Sequence, residues 1–396
     1  MSRVWDIPVH DSTRVRDVRV AAEAACAVAG LGVHRAAAAA LVATELATNL
    51  LKHAGGGRVV INLVGESGTA TQAAGTCGAT EVARATEVAG ASAASEASAI
   101  HEASAISECS DRRVQIVSVD HGPGIDDVAA AMRDGYTTAD SSLGAGLGAC
   151  LRVSDDFDLH SRRDRGTVAV ARIGAVPAAQ HGAPRGRAAG PRVGGINLSL
   201  ARAEHSGDAF GWTRSGPLLT LLLADGLGHG VRAAHASSAA VDELRRLVAL
   251  PPTDILRRLD ARLRKTRGAA VAVAQLDDDA GQLCFAGVGN VGGRLRTGAG
   301  WQPLVSHPGI VGAHFPATVP LQQVPWTAES LLVLHSDGLP GRWTPPDDPG
   351  LLAHDPAVVA AVALRDASSA ASPLRDDTSV AVLCPDRRTD PHDRLP

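Results

Sequence analysis

Between residues 175 and 192 the chain reads "AVPAAQHGAPRGRAAGPR", a run of Ala, Gly and Pro without any apolar period. No amphipathic helix or alternating strand can be written through it, so it reads as a linker between two parts that each need a core. The length agrees, since 396 residues is too long for one ordinary core. Two domains are expected, 1–174 and 193–386, with 175–192 as linker and 387–396 as a frayed tail. Aromatic residues are only 3% of the chain, so both cores must be built from Ala, Val and Leu.

A second interruption lies inside the first part. From Ala79 the sequence runs "ATEVAR ATEVAG ASAASE ASAIHE ASAISE", five near-copies of six residues. Six helical residues advance about 600°, so the repeat never builds one apolar stripe. A hexapeptide β-helix is the alternative, but the third copy lacks its large apolar residue and the repeats are few for a solenoid. Residues 65–112 are therefore expected to be a low-complexity, disordered insertion. It joins two strand-like runs, "GRVVINLV" (57–64) and "RRVQIVSVD" (112–120), as a decorated hairpin connection.

Several function classes fall away on composition. A formal charge of -4 gives no electrostatic case for nucleic acid or an anionic membrane. The first residues carry charges where a signal peptide needs an apolar run, and no later stretch nears the roughly 20 apolar residues of a membrane span. Six cysteines are scattered without a CxxC pair, reading as reduced thiols of a cytoplasmic protein. HExxH, Walker lysine and GxSxG patterns are absent.

The first part carries four polar pieces. In "ELATNLLKHAGGG" (45–57) Glu45 and Asn49 stand four residues apart on one helix face, followed by Lys52 and His53. "SVDHGPGIDD" (118–127) ends a strand at Asp120, with Gly122 and Gly124 behind it. "SSLGAGLGACL" opens a helix through Gly144, Gly146 and Gly148, and "RDRGTVAVAR" brings Gly166 and Thr167 into a strand. A side-chain amide can complete a Mg²⁺ shell, and a carboxylate can accept from an adenine amino group. A Gly-rich turn aims N–H groups and a helix dipole at phosphates. Singly, each piece is equally at home in a tight loop or on a solvated face.

In this order, these pieces resemble the GHKL ATPase fold, and within it the small serine-kinase branch of anti-sigma factors and RsbT-type stressosome switch kinases. The resemblance covers about residues 4–173 apart from the insertion. It implies an α/β sandwich with a mixed sheet covered on one face by helices. It further implies that Asn49 holds Mg²⁺ and Asp120 the adenine of ATP, with Gly122 and Gly124 beside it and Thr167 nearby. Gly144, Gly146 and Gly148 would wrap the phosphates, and Glu45 would take the proton from an acceptor hydroxyl. Lys52 or His53 would either neutralise phosphate charge or remain solvated.

The second part places acidic residues where apolar runs end: Asp208 in "HSGDAFGW", Asp225 in "LLLADGLGHG", Asp337 in "VLHSDGL", and Asp376 and Asp377 in "LRDDTSVAVL". Asp before Gly is a common turn signal, but four such sites suggest carboxylates meeting at one sheet edge. Carboxylates that converge repel, and divalent cations relieve that repulsion. With His229 and Arg267, this pattern resembles the metal-dependent protein phosphatases of the PPM superfamily, in the SpoIIE-like, RsbX-type branch, over about residues 193–384. The implied fold is an α-β-β-α sandwich. The implied metal ligands are Asp208, Asp225, the Gly226 carbonyl, Asp337 and Asp376, with Asp208 and Asp225 bridging two Mg²⁺ or Mn²⁺ ions. The second acidic residue of larger SpoIIE-type enzymes is missing near Asp208, where Phe210 and Gly211 stand instead. His229 is either a proton donor or a turn residue, and Arg267 either orients phosphate or is an ordinary surface arginine.

The combined expectation is a bifunctional stress-signalling switch protein. An ATP-dependent serine/threonine kinase of STAS-domain partners would be fused through a flexible linker to a phosphoserine/phosphothreonine phosphatase, and a downstream output protein would be released by switching. The alternative is a phosphatase whose first domain binds ATP only to grip a regulatory partner.

Overall fold

In a computed structural model, residues 3–65, 112–132, 146–175, 190–200, 203–298, 300–368, 374 and 376–386 are described. The hexad repeats, Gly144, most of the expected linker and the C-terminal tail lie outside them.

The first part begins with strand β1 (Val4–Val9), followed by helices α1 (Ser12–Val28) and α2 (Val33–Ala54). The Asp11 side chain caps α1 by accepting from the N–H groups of Thr13 and Arg14. Helix α2 is Ala-rich and stops at Gly55, whose φ of 71° is the left-handed C-cap conformation that favours glycine. Strands β2 (Gly57–Gly65), β3 (Arg112–Val119), β4 (Asp156–Arg162) and β5 (Gly166–Ile173) complete a sheet of order β1-β2-β3-β5-β4. Short helices α3 (Val128–Ala131) and α4 (Gly146–Val153) lie between β3 and β4.

Every pairing in this sheet is antiparallel, which corrects the expectation of a mixed sheet. Two helices separate β1 from β2, and β2 runs back along β1 with Val4 opposite Asn62 and Val9 opposite Gly57. Alternation along the strands gives the sheet two apolar faces. One, with Val59, Ile61, Val114, Ile116, Ala169, Ala171 and Ile173, packs against α1 and α2.

The second part contains two further five-stranded sheets. One has the order β13-β10-β9-β8-β7, formed by β7 (Asp208–Ser215), β8 (Leu218–Gly226), β9 (Ala269–Asp277), β10 (Gln282–Val288) and β13 (Gln322–Pro325). The other runs β12-β11-β14-β15-β6, from β6 (Arg192–Leu198), β11 (Gly292–Thr297), β12 (Gly300–Val305), β14 (Leu331–His335) and β15 (Thr378–Cys384). They pack face to face over Leu221, Leu223, Phe285, Leu332, Leu334 and Leu383. Helices α5 (Val231–Leu244) and α6 (Pro252–Leu263) cover one outer face and α7 (Pro356–Ala367) the other, the expected α-β-β-α order.

Helix α7 has a second partner. Its sequence "PAVVAAVALRDA" is apolar on all sides, as a helix buried on all sides must be, and every residue from Pro356 to Arg365 is buried. The same core joins it to Ile196, Val380 and Val382 on one side and to Val60, Val117, Val119, Val168 and Val170 of the first sheet on the other. The layers therefore run α1/α2, sheet, α7, sheet, sheet, α5/α6. The two parts are docked, not merely tethered, which corrects the expectation of modules held together by a flexible linker alone. Each fully buried valine contributes about 1.5–3 kcal/mol, so the seam outweighs what a short tether alone could hold.

Polar contacts line the seam. Arg172 donates to both oxygens of Asp355 at 2.7 and 2.8 Å, and burial, which would raise that carboxyl, is outweighed by the guanidinium, which holds it down at about 2. The His354 ring pairs with Asp158 at 3.1 Å, and the Asn62 and Gln115 amides donate to the carbonyls of Asn197 and Gly195. Among the described residues, no helix is long and apolar enough to cross a membrane.

Candidate functional site

The residues singled out above fall at two places, one in each part. In the first part, the α2 face carrying Glu45 and Asn49 meets the start of α4: the position a Cβ would take on Gly146 is 2.9 Å from Glu45 Oε2 and 3.7 Å from Asn49 Oδ1. A side chain there would crowd the Glu45 carboxylate and only touch Asn49, so the start of α4 lies directly against that face. Gly148 is buried one turn-half further on.

Asp120 lies at the end of β3, beside Gly57 at the start of β2. Its Oδ1 accepts from the backbone N–H groups of Gly122 (2.8 Å) and Thr167 (3.1 Å), and no hydrogen bond among the described residues engages Oδ2. Burial raises its carboxyl above the usual range, while those two N–H groups and the Arg365 charge pull it back down. Gly166 sits so close that a Cβ would stand 2.1 Å from the Asp120 carbonyl oxygen, and its φ of 89° is left-handed. The Thr167 hydroxyl is taken by Ser161 at 2.9 Å. Gly124 lies in the turn against Arg162. Lys52 and His53 are exposed on the last turn of α2, and the described contacts bring neither to Gly146 nor to Asp120.

The second cleft forms where two sheets end together. Asp208 and Asp225 are direct cross-strand partners on β7 and β8, so their side chains share one face. Asp337 follows β14 and Asp376 precedes β15, and these neighbouring strands carry them to the same end. Asp225, Asp337 and Asp376 line a cleft of about 680 Å³ with His229, Asn290, Ser306 and the 308–310 loop.

Asp208 is fully buried, and neither carboxylate oxygen has a hydrogen-bond partner of good geometry. Burial and then the Asp225 charge push its carboxyl well above the usual range, which the nearby Ser336 hydroxyl offsets only in part. Burial and then Asp337 push Asp225 up to about 7, and Asp337 is raised by burial and Asp376. Asp377, by contrast, is a brace: its two oxygens accept from the N–H groups of Leu200 and Gly207.

Among the described residues no three His, Cys, Asp or Glu side chains are already posed as a metal cage. The donor set nonetheless fits a hard divalent cation: oxygen ligands, one of them an orphaned buried carboxylate, pressed together against their own repulsion. Gly226, at the end of β8, hydrogen-bonds through its N–H to Gly207 beside Asp208, which keeps its backbone at the cleft floor.

Two neighbours extend the sequence reading. Asn290, in the turn between β10 and β11, donates to Asp337 Oδ2 at 2.5 Å. It stands in the run "GVGNVGGRLR" (287–296), where an Asn among glycines reads as a turn residue until the fold places it beside a carboxylate. Arg267 is exposed, with Nη1 3.0 Å from where a Gly228 Cβ would stand, so its guanidinium borders the cleft wall. His229 is exposed at the same mouth.

The paired sheets and their outer helices make the second part an α-β-β-α domain with an acidic cleft at one end of its sheets. Residues 216–385 match the family model described as Stage II sporulation protein E (SpoIIE), so the second half of the chain carries a SpoIIE-type phosphatase domain. A stretch of 54 residues is 43% identical to the serine/threonine-protein kinase RsbT of Bacillus subtilis (strain 168), covering 14% of this chain and 40% of that relative's length. The match thus spans well under half of that curated relative. Among solved structures, RsbX in complex with magnesium is 21% identical, covering 50% of this chain and 96% of that one, with a TM-score of 0.42. The PP2C phosphatase domain of SpoIIE from Bacillus subtilis, solved with a fragment of its regulatory domain, is 16% identical over 70% of this chain and 80% of that one, with a TM-score of 0.43.

Proposed function

We propose that this chain both writes and erases one class of mark, phosphate on serine or threonine of STAS-domain proteins in a bacterial stress-signalling module. The observation that carries the erasing half is Asp208, a buried carboxylate without a hydrogen-bond partner beside Asp225. Asp208 and Asp225, with the Gly226 carbonyl, Asp337 and Asp376, would hold Mg²⁺ or Mn²⁺. When bound, such a cation pair supplies an activated water and neutralises charge on the phosphoryl oxygens. Asn290 keeps Asp337 aimed into the cleft, and Arg267 offers a guanidinium at its rim for phosphate oxygens.

The writing half is supported by the juxtaposition of Glu45 and Asn49 with Gly146, and by the buried carboxylate of Asp120. Asp120 Oδ2 is available to an adenine amino group. Asn49 would offer an amide oxygen to the Mg²⁺ of ATP, and the start of α4 at Gly146 and Gly148 would offer N–H groups to its phosphates. Glu45 accepts the proton of the attacking serine hydroxyl. Partners, cytoplasmic location and the release of an output protein come from the family resemblance of the motifs.

The decisive experiment follows the intact mass of a STAS-domain protein incubated with the full chain, ATP and Mg²⁺, and then with fresh enzyme with and without chelator. A gain of one phosphate that is reversed only when metal is present supports both halves. Asn49→Ala should lower phosphorylation by about 10²-fold or more, and Asp225→Ala should do the same to dephosphorylation. Nucleotide retained without phosphotransfer would leave the first domain as a binding module only.

A further inference from the structure

Helix α7 belongs by sequence and packing to the phosphatase domain, yet its last turn is built into the wall of the other cleft. Arg365 is 1% exposed and is the largest fully buried side chain among the described residues. Its Nη1 donates to the Gly166 carbonyl at 3.2 Å, and its Nε pairs with Asp366 at 2.9 Å. Gly166 in turn presses against Asp120, and the next residue, Thr167, donates its N–H to Asp120 Oδ1.

The contact is reciprocal. His121, the residue after Asp120, lies 3.0 Å through Nε2 from the carbonyls of both Arg365 and Ser368. Carbonyls only accept, so Nε2 carries the proton and caps the C-terminal end of α7. The chain thus grips Asp120 from both sides with the last turn of a helix from the neighbouring domain.

Packing alone does not account for an arginine here. The rest of α7 is apolar from Pro356 to Leu364, and burying a guanidinium costs more than burying Leu or Met of similar volume. Among the residues that α7 buries between the two sheets, Arg365 is the charged one, and it stands where the helix passes Asp120.

We propose that Arg365 is a positioning residue of the nucleotide pocket. It holds the Gly166–Thr167 turn, and through it Asp120, in the orientation that reads adenine, so that the nucleotide site is incomplete without the phosphatase domain. This inference rests on the reading of the first cleft as an ATP site.

The test measures ATP and GTP affinity of the full chain by calorimetry in Mg²⁺, for wild type, Arg365→Met and Arg365→Lys. Because Arg365 acts through the base-reading carboxylate, ATP affinity should fall about tenfold in Arg365→Met while GTP affinity changes far less. Arg365→Lys, which keeps the charge, should recover part of the preference for ATP. Equal ATP affinity in wild type and Arg365→Met overturns the role of Arg365 alone. Parallel loss of ATP and GTP binding in both variants marks a purely structural arginine and overturns it as well. A wild-type chain that binds no adenine nucleotide overturns the ATP-site reading, and this inference with it.

Discussion

A carboxylate with both oxygens buried and unbonded, as at Asp208, raises the free energy of the folded chain until a cation or a proton neutralises it. Asp208→Asn should therefore melt higher than wild type in chelator, by the equivalent of about 1–3 kcal/mol, and should lose most of the upward shift that Mg²⁺ gives wild type. Calorimetry with and without metal reads both effects. An unchanged melting point in chelator together with an intact Mg²⁺ shift would remove Asp208 from the metal site. Arg172–Asp355 behaves in the opposite sense, because its carboxyl is held at about 2 instead of being pushed up. A depressed folded-state pKa means the contribution is complete above the unfolded carboxyl's range and is lost as pH falls toward 2. Urea unfolding between pH 6 and pH 2 should show wild type leading Asp355→Asn by about 2 kcal/mol at pH 6, with the gap closing only in the acid range. The Asn variant keeps an oxygen to cap the helix but turns one of the two acceptors of Arg172 into a donor, so the gap reports the charge together with one hydrogen bond.

Helix α7 is the element on which both halves depend. Val359 is fully buried in the core shared by the first and third sheets. Val359→Ala removes two carbons there and should cost about 2–3 kcal/mol including the cavity. Nucleotide binding and phosphatase turnover should be lost at the same denaturant concentration in that variant; two separate midpoints would show that the helix serves one domain only. This helix was the part of the fold least legible beforehand. Amphipathic periodicity finds helices with one wet face, and a helix covered on both sides has none to display. The strands at 57–65, 112–119, 218–226, 269–277 and 378–384 were legible because their apolar runs end at turn residues or charges. Strands β4 and β11 to β13 are short or carry polar residues, and their pairing emerges only from their neighbours. At the sites, Asp225 and Asn49 announced themselves by position at the end of a run or on a helix face. Asn290 and Arg365 did not, since each acquires meaning only from a residue far away in sequence.

At the scale of the whole molecule, the docking of the two parts was not legible. Composition reveals where a chain lacks a core, but not that two cores will meet across a third element. The valine face of the first sheet, with Val60, Val117, Val119, Val168 and Val170, is covered by α7 and β6 of the second part. Residues 1–174 produced alone should therefore self-associate at micromolar concentration, whereas the full chain should unfold in one calorimetric transition. Light scattering of the isolated piece checks the first, and a stable monomer would contradict it. The layered order has one further outcome for a cell that makes this protein. Heat, a protease or an inherited lesion that strips away either half leaves the other with its flank bare, so under the proposed function neither activity would outlast the one that opposes it.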